Sequence, residues 1–215
     1  MKKRSKMLAI IMVLAFALTG VGYAAWTDTL YINGSVSTGN LDVQFDGEPW
    51  LPADAHAPFV KVTKCEYNPE KNICTWEVGN LYPGAWVKLD VQQKNVGSIP
   101  AKFNKATLRV TDDPAGIANY LLCDAYFNGY RNPLNPWSGF GGIIQEDKPF
   151  KSLGTNMTNQ LSNVVLDPGG WLNFDNPDDP DDDAHCIWIK MKENAPNTTQ
   201  DSTITFELKM DWTQG

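Results

Sequence analysis

Histidine is nearly absent from this sequence, with only His56 and His185 among 215 residues. No CxxC pair, HExxH, GxSxG or glycine-rich phosphate loop occurs. A zinc centre therefore has no recognisable ligand set, no catalytic constellation stands out, and the chain is read as a non-enzyme. Positive charge is also scarce. The 18 Lys and Arg stand against 25 Asp and Glu for a net charge of -7, and four of the cations (Lys2, Lys3, Arg4, Lys6) lie before residue 7. Without that segment, 14 minus 25 leaves -11. A body this acidic, with no basic stripe and no interleaved Arg and aromatic residues, excludes nucleic acid as a partner. Helical periodicity is confined to two short stretches, residues 114–120 and 151–161. What remains is 42% hydrophobic residues and 8 Trp, enough to fill the core of one domain.

The N-terminus has three parts: basic residues 2–6, the apolar run MLAIIMVLAFAL over 7–18, and the small-residue stretch Gly20-Val21-Gly22-Tyr23-Ala24-Ala25. This is the layout of a secretory signal. Cleavage after Ala24 puts Gly22 and Ala24 in the two small-side-chain subsites, whereas cleavage after Ala25 would force Tyr23 into one. Residues 1–24 are thus expected to be removed by a signal peptidase, with Ala25 as the mature N-terminus. The alternative is an uncleaved anchor, since no charge occurs between Lys6 and Asp28. Export to an oxidising location makes Cys65, Cys74, Cys123 and Cys186 legible as two disulfides. Four cysteines allow three connectivities. Cys65 and Cys74 flank the turn-rich Asn68-Pro69-Glu70-Lys71-Asn72 between two strand-like runs, so a bridge across one hairpin is the simplest pairing and leaves Cys123 with Cys186.

Beyond residue 25 the dominant period is two. Leu41-Val43-Phe45, Val87-Leu89-Val91, Ile187-Ile189-Met191 and Ile204-Phe206-Leu208-Met210 each place apolar residues on alternate positions. With FVKVTK, ICTWEV, KATLRVT, LLCDAYF, NVVL and WLNF they predict about ten short strands between Gly, Pro, Asn and Asp clusters. The expected fold is all-β, a jelly-roll-like two-sheet antiparallel sandwich with one or two short helices. Leu81-Tyr82-Pro83-Gly84-Ala85-Trp86 and Leu166-Asp167-Pro168-Gly169-Gly170-Trp171 repeat one pattern, L-x-P-G-x-W. Pro presets φ at the first central position of a type II turn and Gly accepts the positive φ of the second. Each is read as a tight turn feeding a strand, at equivalent corners of the sandwich.

Four segments taken in order carry a family resemblance. They are Gly22-Tyr23-Ala24-Ala25-Trp26-Thr27-Asp28 with Ser37-Thr38-Gly39-Asn40-Leu41-Asp42-Val43; Asn80-Leu81-Tyr82-Pro83-Gly84 with Asn95-Val96-Gly97-Ser98-Ile99-Pro100-Ala101; the LDPG turn at 166–169; and the closing strands 186–192 and 203–212. In these the chain resembles the TasA and camelysin family of secreted bacterial biofilm-matrix fibre proteins, relatives of archaeal bundling pili. The cysteines, and an insert over about 128–145, depart from that pattern. The resemblance implies a jelly-roll sandwich, processing by a SipW-type signal peptidase, and polymerisation by donor-strand complementation with copies of itself. A minor anchoring or capping subunit is a further partner of such a fibre. The camelysin name carries a metalloprotease label, which leaves a protease as a second alternative that the missing ligand set disfavours.

Residues 25–36 are then the donor strand and 37–215 the sandwich domain. In AWTDTLYIN, Trp26, Leu30 and Ile32 fall on one face of an extended strand, an apolar set at a position where termini are usually polar. The competing reading pairs this strand within its own sandwich. Residues 175–183 hold six carboxylates among two prolines. Asp178, Asp179, Asp181, Asp182 and Asp183 are candidate Ca²⁺ ligands, but the EF-hand spacing is missing and a solvated acidic loop is the preferred reading. No other cofactor is expected. The aromatic insert 127–140 is read as a lid over the core, with stacking on sugars or on a neighbouring subunit as alternatives. Asn33, Asn156 and Asn197 begin N-glycosylation sequons. The chain lacks an LPxTG-like sorting signal and an apolar C-terminal tail, so release followed by assembly is expected. The reading is a secreted, non-enzymatic fibre subunit at or beyond the cell surface; its first alternative is a monomeric adhesin or carbohydrate-binding sandwich.

Overall fold

Alternating apolar residues separated by turn formers build twelve strands among the residues that the computed structural model describes, which are 10–13, 39–45, 59–135, 137–174 and 186–215. The chain divides into two units, Met1–Thr38 and Gly39–Gly215. Within the first, residues 10–13 form a helical turn, and no described helix is long and apolar enough to cross a membrane.

The second unit is an all-β sandwich of two antiparallel sheets, as the period of two requires. Its strands are β1 (Val43–Phe45), β2 (Lys61–Asn68), β3 (Ile73–Gly79), β4 (Trp86–Asp90), β5 (Gln92–Asn95), β6 (Ala101–Asp112), β7 (Leu121–Tyr130), β8 (Gly139–Pro149), β9 (Val165–Leu166), β10 (Trp171–Asn173), β11 (Cys186–Met191) and β12 (Thr203–Gln214). One sheet runs β2-β3-β12-β6-β9. In the other, β8 pairs with β7, successive stretches of β7 pair with β11 and β10, β4 and β5 pair with these in turn, and β1 pairs with β5. Cys74, Trp76 and Val78 of β3 and Ile204, Phe206, Leu208 and Met210 of β12 are buried, facing Val87, Leu89, Ile187 and Ile189 of the opposite sheet in one core. Trp76 stacks on Phe206 with centroids 5.7 Å apart, and Phe150 meets Phe206 edge-on at 4.9 Å. Trp76, Phe150 and Phe206 are among the largest fully buried side chains and so contribute heavily to the stability of the core.

Both helical expectations have counterparts, a 3₁₀ turn at Ile117–Asn119 and the α-helix α1 at Leu153–Leu161. Helix α1 covers the outer side of β6. Thr158 Oγ1 accepts from the Ala106 N–H at 3.0 Å and donates to the Ala106 carbonyl at 3.2 Å, a local cover for the edge that β9, two residues long, leaves beside β6.

The two repeated turns are both type II. Gly84 and Gly169 have φ of 83° and 81°, and the N–H groups of Ala85 and Gly170 donate to Tyr82 and Asp167, each at 2.8 Å. They occupy opposite poles, not equivalent corners. β4 starts at the pole of Tyr82, where β11 ends, and β10 starts at the pole of Asn95, where β5 and β7 end. β7 spans the interval with 10 residues, about 30 Å.

One expected strand boundary becomes an insertion. Asn173 pairs with Asn128 and Ile187 with Ala125, so only Phe127 and Tyr126 lie between them on β7. Phe174 and Cys186 fill that interval, and residues 175–185 connect two ends of a single strand line.

Candidate functional site

The point where the chain joins the sandwich is built around Asn95, which is fully buried at the Asn95 pole. Its amide nitrogen donates to the carbonyls of Ile99 and Leu166, both at 2.9 Å, and its amide oxygen accepts from the Gly97 N–H at 3.0 Å. Its main chain bonds the LDPG turn through Asn95 N–H to Gly170 O and Gly169 N–H to Asn95 O. The loop it holds receives residues 39–42. Val96 and Gly97 N–H donate to the Asp42 carbonyl, Ser98 N–H donates to the Asn40 carbonyl, and Ser98 Oγ accepts from Asn40 N–H. A Cβ on Gly97 would lie 2.4 Å from Asn40 O and 2.7 Å from Asp42 N, so only glycine admits the incoming segment so closely. Three sequence elements far apart in the chain thus meet at one corner, with the Asn95 amide joining two of them and the 96–98 backbone holding the third. Beyond them β1 is held from the other sheet, since Phe45 N–H donates to Tyr67 Oη at 2.9 Å and their rings meet edge-on. Burial raises the Tyr67 phenol above its ordinary pKa.

On the outer face of the same sheet, Lys88 is 7% exposed, with its ammonium 5.8 Å from the Trp86 ring centroid and 5.1 Å from that of Trp188. Lys190 lies 5.0 Å from the Trp188 ring and pairs with Asp124. Ring faces hold both cations at the surface of the sheet, and the carboxylates of Asp124 and, at 3.8 Å, Asp147 also hold Lys190, which makes a structural clamp.

At the Tyr82 pole a cleft of about 650 Å³ is lined, among the described residues, by Phe59, Lys61, Asn80, Leu81, Tyr82, Gln200 and Asp201. Phe59 is 62% exposed and meets Tyr82 edge-on at 6.2 Å. At the opposite pole the β7–β8 hairpin closes, and its described loop residues are 131–135, 137 and 138. Asn132, Asn135 and Ser138 bond across it: Leu134 N–H donates to Asn132 Oδ1, Trp137 N–H to Asn135 Oδ1, and Ser138 Oγ donates to Asn132 O at 2.8 Å. The insert is therefore no lid. Leu134 and Trp137 stand 91% and 92% exposed at its tip, while Phe127 and Phe140 pack on the sandwich.

Several expected site residues fall outside the described ones: Ala24 and Ala25 at the cleavage site, Trp26, Leu30 and Ile32 of the donor strand, Asn33, and the candidate calcium ligands Asp178, Asp179, Asp181, Asp182 and Asp183. Among the described residues no three His, Cys, Asp or Glu converge to hold a metal ion. Asn156 lies on α1 with its amide nitrogen donating to Gln145 Oε1 at 2.8 Å, so a glycan there would break a packed contact. Asn197 is exposed.

The cysteines divide. Cys65 pairs with Trp76 and Cys74 with Tyr67 on adjacent strands, which sets the two thiols diagonally across the β2–β3 hairpin and in hydrogen-bond contact. The contact holds the Cys65 thiol below its ordinary pKa, and the same contact, with burial, pushes Cys74 up. Cys74 is thus the donor and Cys65 the better nucleophile. Alkylation of the reduced protein near pH 8 is expected to modify Cys65 well before Cys74. Under oxidising conditions peptide mapping should find the two bridged, adding about 2.5 kcal/mol by chain entropy; a free Cys65 there would contradict the bridge. Cys123 does not fit its expected partner. It is in register with Ile189, three positions from Cys186 on the neighbouring strand. That offset is about 10 Å, beyond the roughly 7 Å between Cα atoms that a disulfide spans. Cys123 is fully buried in the core.

The chain matches no protein-family model and no curated protein sequence.

Proposed function

We propose that this protein is a secreted structural subunit that polymerises head-to-tail into an extracellular fibre, the segment 25–36 of each copy completing a sheet of the next. The observation that carries this reading is the division of the chain after Thr38. The strand-patterned segment with Trp26, Leu30 and Ile32 belongs to a separate unit from the sandwich. The sandwich holds Gly39 and Asn40 at the Asn95 pole, against Ile99 and Ser98. A strand added to a sheet gains a row of main-chain hydrogen bonds, and its alternate side chains supply apolar burial. Donor and acceptor surfaces that differ do not close a two-fold dimer, so the contact propagates. The resemblance to biofilm-matrix fibre proteins points the same way, and so does an acidic body that stays soluble until it assembles.

A second reading, a monomeric surface module that binds carbohydrate, draws on one observation. The rings of Tyr130 and Trp171 lie 5.1 Å apart beside Asn128 and Asn173 in a shallow cleft of about 410 Å³. Aromatic faces flanked by amides suit a sugar ring. Negative-stain microscopy of the processed protein separates the two readings: filaments are expected, and monodisperse single particles at high protein concentration would overturn the fibre in favour of the monomeric module.

A further inference from the structure

Two carboxylates and a lysine meet on the outer face of the sheet, at a break in the β7–β8 ladder. Register steps there from Cys123 opposite Lys148 to Ala125 opposite Gln145, so Asp124 has two residues opposite it, Glu146 and Asp147. This is a β-bulge. Asp147 takes φ of 44°, in the left-handed region that residues other than glycine seldom enter, and its N–H donates to Asp124 Oδ1 at 2.6 Å. The other oxygen, Asp124 Oδ2, contacts Lys190 Nζ, and the Asp124 side chain is only 9% exposed. β11 brings the lysine there because Trp188 stands opposite Asp124 and Lys190 lies two residues on, hence on the same face. Lys190 Nζ is also 5.0 Å from the Trp188 ring centroid and 3.8 Å from Asp147 Oδ1. An ion pair needs only Lys190 and Asp124. The bulge adds a main-chain donor on one carboxylate oxygen and a second carboxylate beside the amine, and it does so through a strained residue, which is the arrangement of a reaction centre.

We propose that Lys190 Nζ and Asp124 Cγ condense into an amide, an isopeptide bond that joins β11 to β7 within one copy. The reaction goes beyond the fibre reading and does not depend on it. The Asp147 carboxylate takes a proton from the Lys190 ammonium and passes it to Asp124 Oδ2. The neutral amine then attacks Cγ, forming the C–N bond, while the charge gathers on Oδ1, where the Asp147 N–H donates to it. A second proton travels from the nitrogen to Oδ2 by the same carboxylate, the Cγ–Oδ2 bond breaks, and Oδ2 leaves as water. One ammonium and one carboxylate thus become one amide and one water, Asp147 is regenerated, and no oxidant, reductant or co-reactant is consumed. The Asp147 side chain is 77% exposed, which gives the water an exit to solvent. Free in water the two groups do not condense, but oriented groups held in contact reach effective concentrations on the order of 10⁵ M or more. Once formed, the bond closes a covalent ring, and force applied at the ends of the chain cannot extend the segment between the two linked residues.

The test is mass spectrometry of the full chain after reduction and alkylation. The intact mass is expected to lie one water, about 18 Da, below that of the linear chain. A succinimide loses the same mass, so proteolysis decides: a branched peptide joining the Asp124 and Lys190 segments is expected. Lys190→Arg should abolish it and restore the full mass, because arginine keeps the ion pair but remains charged and does not attack. Asp147→Asn retains the main-chain donor and removes the proton carrier, so the branched peptide should form at least about a hundredfold more slowly in freshly refolded protein. Circular dichroism verifies that each variant is folded. A free Lys190 peptide as the main product of folded wild-type protein would overturn the proposal. So would a branched peptide that persists in Lys190→Arg, or one that forms in Asp147→Asn at the wild-type rate.

Discussion

Asn95→Ala is expected to destabilise the sandwich by about 3 kcal/mol, because it strips the donor from the buried carbonyl of Leu166 and the half-buried one of Ile99, and leaves the Gly97 N–H only its bond to the Asp42 carbonyl. For a unit of this size that loss lowers Tm by about 6 to 12 °C, readable by calorimetry. Asn95→Asp should be worse at neutral pH. The carboxylate keeps the bond from Gly97 but turns negative oxygen toward two carbonyls that need a donor, in a fully buried site. Its folded pKa would be raised above the unfolded carboxylate value near 4. The variant is then most stable below that value and loses stability as pH rises through the folded pKa. An Asp variant as stable as wild type at pH 7 would show that Asn95 is not the hub of the corner. Gly97→Ala probes the same corner from its other side. Its methyl group collides with main-chain atoms of residues 40 and 42 and not with a flexible side-chain end, so it should loosen residues 39–42 selectively. Faster hydrogen exchange at Val96 and Ser98, with the core of β12 unchanged, is the expected signature.

Much of this architecture is legible in the sequence where one face of a strand is buried and the other wet. β3, β11 and β12 alternate cleanly because their inner residues pack on the opposite sheet while Thr205, Glu207 and Lys209 remain half-exposed. β8 was not legible, for the opposite reason. Gly139, Gly141, Gly142 and Pro149 carry no strand signal, and the strand exists because β7 offers it a partner along almost its whole length. The pairing of Cys123 with Cys186 came from elimination, and elimination cannot see ladder register, which depends on how β7 and β11 align. The Asn95 corner lay half in view. Its segments were recognisable as motifs, yet a lone polar residue gives no hint that it is buried until the carbonyls it satisfies come from residues 99 and 166. The cleft at the Tyr82 pole was invisible for a related reason, since Phe59, Asn80 and Gln200 come from three separate connections.

Leu30→Asp combined with Ile32→Asp is expected to abolish elongation while leaving a folded, soluble monomer. Both positions precede Gly39, where the sandwich unit begins, so its melting temperature should match wild type. The donor strand acts through Trp26, Leu30 and Ile32, on one face of an extended segment. Burying each contributes roughly 1.5 to 3 kcal/mol. The double variant removes two of these contributions and would place two carboxylates in an apolar groove, where each must either remain charged without water or take up a proton. Affinity falls tenfold for every 1.4 kcal/mol, so a combined loss above about 5 kcal/mol lowers the association constant by more than a thousandfold. That moves the chain from long polymer to monomer at micromolar concentration. Sedimentation velocity and circular dichroism of the processed variant measure both halves of the claim. An unfolded variant would place the segment inside its own sandwich, as a strand that never leaves home. Filaments of normal length would mean that something other than this strand joins the subunits.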